Sequence, residues 1–94
     1  MAILVATVKI KDLEKFQQYA ASVPATMEPF GGKILGRGKV IKGIDGDVSF
    51  QVAAMFEFPD AESIDSWHHS AEYEKLVSLR TEAADMELAV LESI

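Results

Sequence analysis

The run Phe56-Glu57-Phe58-Pro59-Asp60 constrains this chain more than any other stretch. Pro59 has no N–H to give to a sheet ladder, and Asp60 carries the short carboxylate that caps helices. An apolar strand must therefore end, and a helix begin, within two residues. Beyond that junction lies the chain's densest group of reactive side chains, Trp67-His68-His69-Ser70-Ala71-Glu72-Tyr73, with Arg80 following.

The same reasoning partitions the rest. Ala2 to Ile10 is rich in Ile, Leu and Val with little polar interruption, as in a central strand covered on both faces. Asp12 offers a cap, and Leu13, Phe16, Ala20, Val23 and Met27 recur at helical spacing. Pro24 removes one bond from that helix, so a kink or break is expected near Val23, and Gly31-Gly32 ends the segment. Lys33 to Lys42 reads as a strand in which Gly36 and Gly38 suggest a bulge. Asp45-Gly46 is a hairpin signal, and Val48 to Phe58 alternates, with Val48, Phe50, Val52, Ala54, Phe56 and Phe58 on its core face. After Asp60, Ile64 and Trp67 point inward. Ser70 caps a further segment in which Tyr73, Leu76, Val77, Arg80 and Ala83 share a side, and Met86 to Leu91 forms the last strand.

The order strand, helix, strand, strand, helix, strand over residues 1–94 is that of one ferredoxin-like α+β domain. Its four-stranded antiparallel sheet carries both helices on one face. The other face of such a sheet is bare in an isolated subunit. If it is apolar, it satisfies itself by pairing with a second copy across a twofold axis, so the expected assembly is a homodimer joined through its sheet faces into a barrel.

Nine Lys and Arg against fifteen Asp and Glu give a formal charge of -6, which opposes nucleic acid and anionic membranes. No cysteine is present, so neither a disulfide framework nor thiolate chemistry is available. The first ten residues are too short for a signal peptide with its basic leader, and the expected location is cytoplasmic.

Tyr19, the stretch Phe30-Gly31-Gly32-Lys33-Ile34-Leu35-Gly36-Arg37-Gly38, the Phe56-Glu57-Phe58-Pro59 junction, Trp67 to Tyr73, and Leu79-Arg80 together resemble the family called domain of unknown function thirteen-thirty. The resemblance covers nearly the whole chain and is specific as an ordered combination. It implies a dimeric α+β barrel, a superfamily that includes cofactor-free monooxygenases, muconolactone-type isomerases and haem-dependent chlorite dismutases. It does not imply one chemistry. Where the family usually has an aromatic residue, often Tyr, this chain has His68.

Among candidate site residues, Arg37 lies between two glycines and is either an anion clamp for a carboxylate or phenolate, or an ion-pair partner of Glu57 or another acid. Glu57, between two phenylalanines, is either a desolvated proton acceptor or a carboxylate in an ordinary salt bridge or facing solvent. His68 and His69 diverge by about 100° on a helix and do not easily grip one metal; His69 stands four residues from Tyr73, and each histidine is either suited to moving a proton or a cap or surface residue. Trp67 and Tyr73 either wall a flat apolar pocket or belong to the core. Arg80 reaches a pocket carboxylate or pairs with Glu72, Glu74 or Asp85. The catalytic candidates are thus His69, Glu57 and Tyr73, and the substrate contacts Arg37, Trp67, Arg80 and Tyr19. Neither a metal nor a cofactor is expected. The glycines precede a strand rather than a helix, so no phosphate loop forms, and no serine sits in a nucleophile elbow.

Two functions fit these residues. One is a cofactor-independent enzyme, of monooxygenase or isomerase type, acting on a small aromatic or enolisable metabolite. The alternative is a non-catalytic small-ligand-binding or dimerisation module. A haem protein is a third possibility, and it requires an axial histidine facing the sheet.

Overall fold

The computed structural model describes residues 1–94. In chain order its elements are β1 (Ala2–Ile10), α1 (Leu13–Met27), a 3₁₀ turn (Glu28–Phe30), β2 (Lys33–Lys39), β3 (Val52–Phe58), α2 (Ala61–His68), α3 (Ala71–Glu74), α4 (Val77–Ala83) and β4 (Ala84–Glu92). The strands form one antiparallel sheet in the order β2-β3-β1-β4. This is the ferredoxin-like α+β arrangement, with its second helical region broken into three short pieces.

The pleat sorts the central strand cleanly. Ala2, Leu4, Ala6 and Val8 of β1 are buried, and across the ladder they stand opposite Phe58, Phe56, Ala54 and Val52 of β3. Against this face pack Tyr19, Val23 and Met27 of α1, Ile64 and Trp67 of α2, and Tyr73 of α3. The intervening residues Ile3, Val5 and Thr7 stand opposite Glu57, Met55 and Ala53 on one side and Leu91, Ala89 and Glu87 on the other. No helix covers that second face, and Met55 and Leu91 are 40% and 45% exposed.

Local chemistry sets the element ends as expected at three places. Asp12 accepts a hydrogen bond from the Lys15 amide, Asp60 from the Ser63 amide, and Ser70 from the Tyr73 amide. The helix break at His69-Ser70 means that His69 does not share a continuous helix with Tyr73.

Three expectations need correction. Helix α1 runs through Pro24 to Met27 without a break, because Tyr19, Val23 and Met27 hold both halves against the sheet. Strand β2 stops at Lys39 rather than Lys42, and β3 starts at Val52 rather than Val48. Residues 40–51 instead form an irregular arm. It is tied at its base by Val40 N–H to the Gln51 carbonyl (2.8 Å) and Gln51 N–H to the Val8 carbonyl (2.7 Å). Asp45 still turns the tip, its side chain accepting from the Gly46 amide where φ is 74°. The turn is therefore local, and the alternation of Val48 and Phe50 is not paired in a ladder. The bulge in β2 falls between Ile34 and Gly36.

Gly31 and Gly32 do more than end a helix. Gly31 has φ 77°, and a Cβ on Gly32 would lie 2.7 Å from the Phe58 ring and 2.9 Å from Met27 Cβ. The glycine pair lets the chain cross directly over the Phe58-Pro59 junction.

Candidate functional site

The helices do not fill all the space above the sheet. A cavity of about 380 Å³ lies between α1 and the covered face, walled by Phe16, Tyr19 and Val23 of α1, Leu4, Phe56 and Leu88 of the sheet, and Trp67 of α2. Fourteen of its seventeen lining residues are hydrophobic, so a ligand there must be largely apolar. The single charged residue in the lining is Arg37.

Arg37 reaches this position because β2 is an edge strand and Arg37 stands opposite Ala54, on the covered face. Glu57 points to the opposite face, beside Ile3 and Lys33. The ion pair between Arg37 and Glu57 is therefore not formed, and the ion pairs of the structure are Lys11–Asp85, Lys15–Glu82 and Lys75–Glu72. Nothing crowds the flanking Gly36 and Gly38, where an added Cβ would meet no atom within 4 Å.

A buried polar chain runs back from Tyr19 in the cavity wall. The Tyr19 and Tyr73 hydroxyls are 2.8 Å apart, and Arg80 Nη1 donates to the Tyr73 oxygen at 2.8 Å. Arg80 thus turns to a phenol rather than to Glu72, Glu74 or Asp85. Its side chain also lies over the Tyr73 ring, 5.8 Å from the centroid. Trp67 packs against Tyr73 with centroids 4.3 Å apart and ring planes tilted by 49°, and its Nε1–H donates to Thr26 Oγ1 at 2.9 Å. Burial pushes the pKa of the Tyr19 phenol far above its ordinary value and the neighbouring Tyr73 adds to this, while the Arg80 charge draws it partly back. Tyr19 therefore keeps its proton.

His68 packs against the Tyr73 ring, 5.3 Å between centroids, and partial burial lowers its pKa, with Arg80 and His69 repelling a second charge. His69 is exposed, and its Nδ1–H donates to the Asp65 carbonyl at 2.8 Å. Of the residues singled out from the sequence, Tyr19, Arg37 and Trp67 line the cavity. Tyr73 and Arg80 stand behind Tyr19, and Glu57, His68 and His69 lie outside the lining. Phe16, Val23, Met86 and Leu88 complete the wall. Their periodicity marks them as core, and periodicity does not distinguish a filled core from a hollow one. No group of three His, Cys, Asp or Glu side chains converges in a way that would hold a metal ion.

The chain matches the family described as domain of unknown function DUF1330 over residues 1–94, and it belongs to that family. Among solved structures, it is similar to a protein of unknown function from Rhodopseudomonas palustris, with 18% identity, a TM-score of 0.85, and coverage of 99% of this chain and 82% of that one. It is also similar to SnoaB, a cofactor-independent oxygenase from Streptomyces nogalater, with 12% identity, a TM-score of 0.68 and coverage of 99% and 92%. A dimeric protein of unknown function with a ferredoxin-like fold from Bacteroides fragilis aligns at 14% identity and a TM-score of 0.62, covering 98% and 95%. At these identities the likeness is one of fold. Comparison with curated proteins finds no match.

Proposed function

We propose that this member of the DUF1330 family binds a small, flat, largely apolar organic acid or phenol in the cavity beneath α1, with Arg37 holding its anionic oxygen. The observation that carries the reading is a guanidinium without a carboxylate partner in the wall of an otherwise apolar cavity. Arg favours such a role because its planar fork gives two parallel hydrogen bonds to a carboxylate. Calorimetric titration with 2-naphthoate tests it. Saturable binding at one molecule per chain is expected, with affinity falling about tenfold in Arg37→Ala, the scale of one charged hydrogen bond. Equal affinity in the two proteins, or no binding, would contradict the assignment.

A second reading adds catalysis without a cofactor, of monooxygenase or isomerase type, on an aromatic or enolisable metabolite. The fold shared with SnoaB prompts it, and the apolar cavity supports it, because its walls cover the body of a phenolate or enolate whose charged oxygen is held at Arg37. Oxygen uptake with naphthols and hydroquinones, and isomerisation of unsaturated lactones, separate this from binding alone. Turnover that is lost in Arg37→Ala supports an enzyme, and binding without turnover supports the module.

The same reading has residues 1–94 acting as one domain in a cytoplasmic homodimer joined through the bare sheet face. The isolated subunit presents 6296 Å² of accessible surface. A folded monomer of its 10.3 kDa is expected to show about 5350 Å². The excess of roughly 900 Å² is comparable with the ~800 Å² that each partner contributes to a standard interface. No helix is long and apolar enough to cross a membrane.

A further inference from the structure

The hydrogen-bond chain behind the cavity has a direction, and the donor inventory sets it. A guanidinium only donates, so the Tyr73 oxygen accepts from Arg80. Tyr73 is fully buried, and the one other polar group its hydroxyl meets is the Tyr19 oxygen, 2.8 Å away. Were Tyr19 the donor in that pair, the Tyr73 proton would be left without an acceptor inside the protein, the costly arrangement for a buried hydroxyl. Tyr73 therefore donates to Tyr19. The Tyr19 oxygen is thereby an acceptor, and its own proton has no acceptor among the protein's side chains or backbone. Tyr19 is itself buried, and the space it borders is the cavity.

From this geometry we infer that Tyr19 donates its hydroxyl proton to an acceptor oxygen of the cavity's ligand, with Tyr73 and Arg80 as positioning residues that fix the direction of that donation. The inference rests on the ligand-site reading above and narrows it. The molecule carries two oxygens of different character, a carbonyl-type acceptor at Tyr19 and an anionic oxygen at the exposed Arg37, joined by an apolar body. Accepting from Tyr73 turns the Tyr19 hydroxyl proton away from Tyr73, and burial keeps that proton in place. Such a donor, already oriented before the ligand arrives, is the arrangement that stabilises negative charge gathering on a carbonyl oxygen.

The test uses 2-acetylnaphthalene, a neutral apolar carbonyl probe that makes no demand on Arg37 for charge. Its carbonyl stretching band is recorded by infrared difference spectroscopy when bound to the full chain. In the wild type the band is expected at lower frequency than in hydrocarbon solvent. In Tyr19→Phe it returns to the hydrocarbon position with the probe still bound, and in Tyr73→Phe it lies between the two. A change in packing alone does not produce that order. A wild-type band at the hydrocarbon position overturns the inference even where a variant fails to fold, and so does a shifted band that Tyr19→Phe leaves in place. Both of those outcomes leave the ligand site standing. Failure of the probe and of 2-naphthoate to bind at all overturns the site and the inference together.

Discussion

Arg37 and Tyr19 occupy one cavity because of small choices on two elements. Arg37 sits on the covered face of an edge strand between unobstructed glycines, and Tyr19 sits one turn before Val23 on the face of α1 that meets the sheet. Glu57 shows how far alternation can be trusted at this scale. Phe56 and Phe58 face the helices, so the residue between them must face away, and its distance from the cavity was readable from the sequence. The pairing of Tyr19 with Tyr73 was not, since it joins residues 54 positions apart. Tyr73 and Arg80, seven residues apart, did carry the helical spacing that brings them together. His68 yields a pH prediction. Burial, then Arg80 and His69, hold its imidazole below the ordinary 6.5, so charging it costs the folded state more than the unfolded one. Its contribution is full above pH 6.5 and is lost as pH falls through the lowered value. Thermal melts of His68→Gln are expected to decline less than those of wild type as pH drops below 6.5, and parallel curves would contradict this.

At the scale of elements, the junction at Pro59 organises more than its own strand and helix. The Asp60 carboxylate accepts from both the Ser63 amide and the Ser63 hydroxyl at 2.7 Å, and these bonds hold its pKa below the ordinary 3.8. The stabilisation is present above that value and fades as pH falls through the lowered one. Asp60→Ala is therefore expected to lower the melting temperature at neutral pH, and the gap should close in strong acid. Gly32→Ala is expected to cost about 1–3 kcal/mol by denaturant unfolding, since its methyl would strike the buried Phe58 ring and Met27. A neutral result would show that the crossing is loose. The order of elements was legible because caps, proline and periodicity agree at each boundary. The arm at 40–51 was not. Val48 and Phe50 continue the alternation of β3, but alternation reports which side a residue faces and not whether a neighbouring strand exists to pair with it. Pro24 misled for a related reason, because local helix breaking loses to the packing of an entire helix on the sheet.

The whole molecule is a slab of 33 × 33 × 16 Å, the thickness of one sheet and one layer of helices. A slab of this kind has a covered side that encloses the cavity and an uncovered side with Ile3, Val5, Met55 and Leu91. Sedimentation at low micromolar concentration is expected to report twice 10.3 kDa, and Val5→Lys, which places a charge at the centre of the uncovered face, is expected to return the monomer. A wild-type monomer would remove the dimer from the account. The cavity is a separate matter, since it lies on the other side of the sheet and belongs to a single chain. Its occupancy is read most directly by amide NMR during titration with 2-naphthoate. Saturable shifts are expected at Arg37, Gly38, Ala54 and the Trp67 indole, which border the cavity, while Ile3, Val5 and Leu91 stay in place. Shifts confined to the uncovered face, or none at saturating acid, would contradict a ligand site beneath α1.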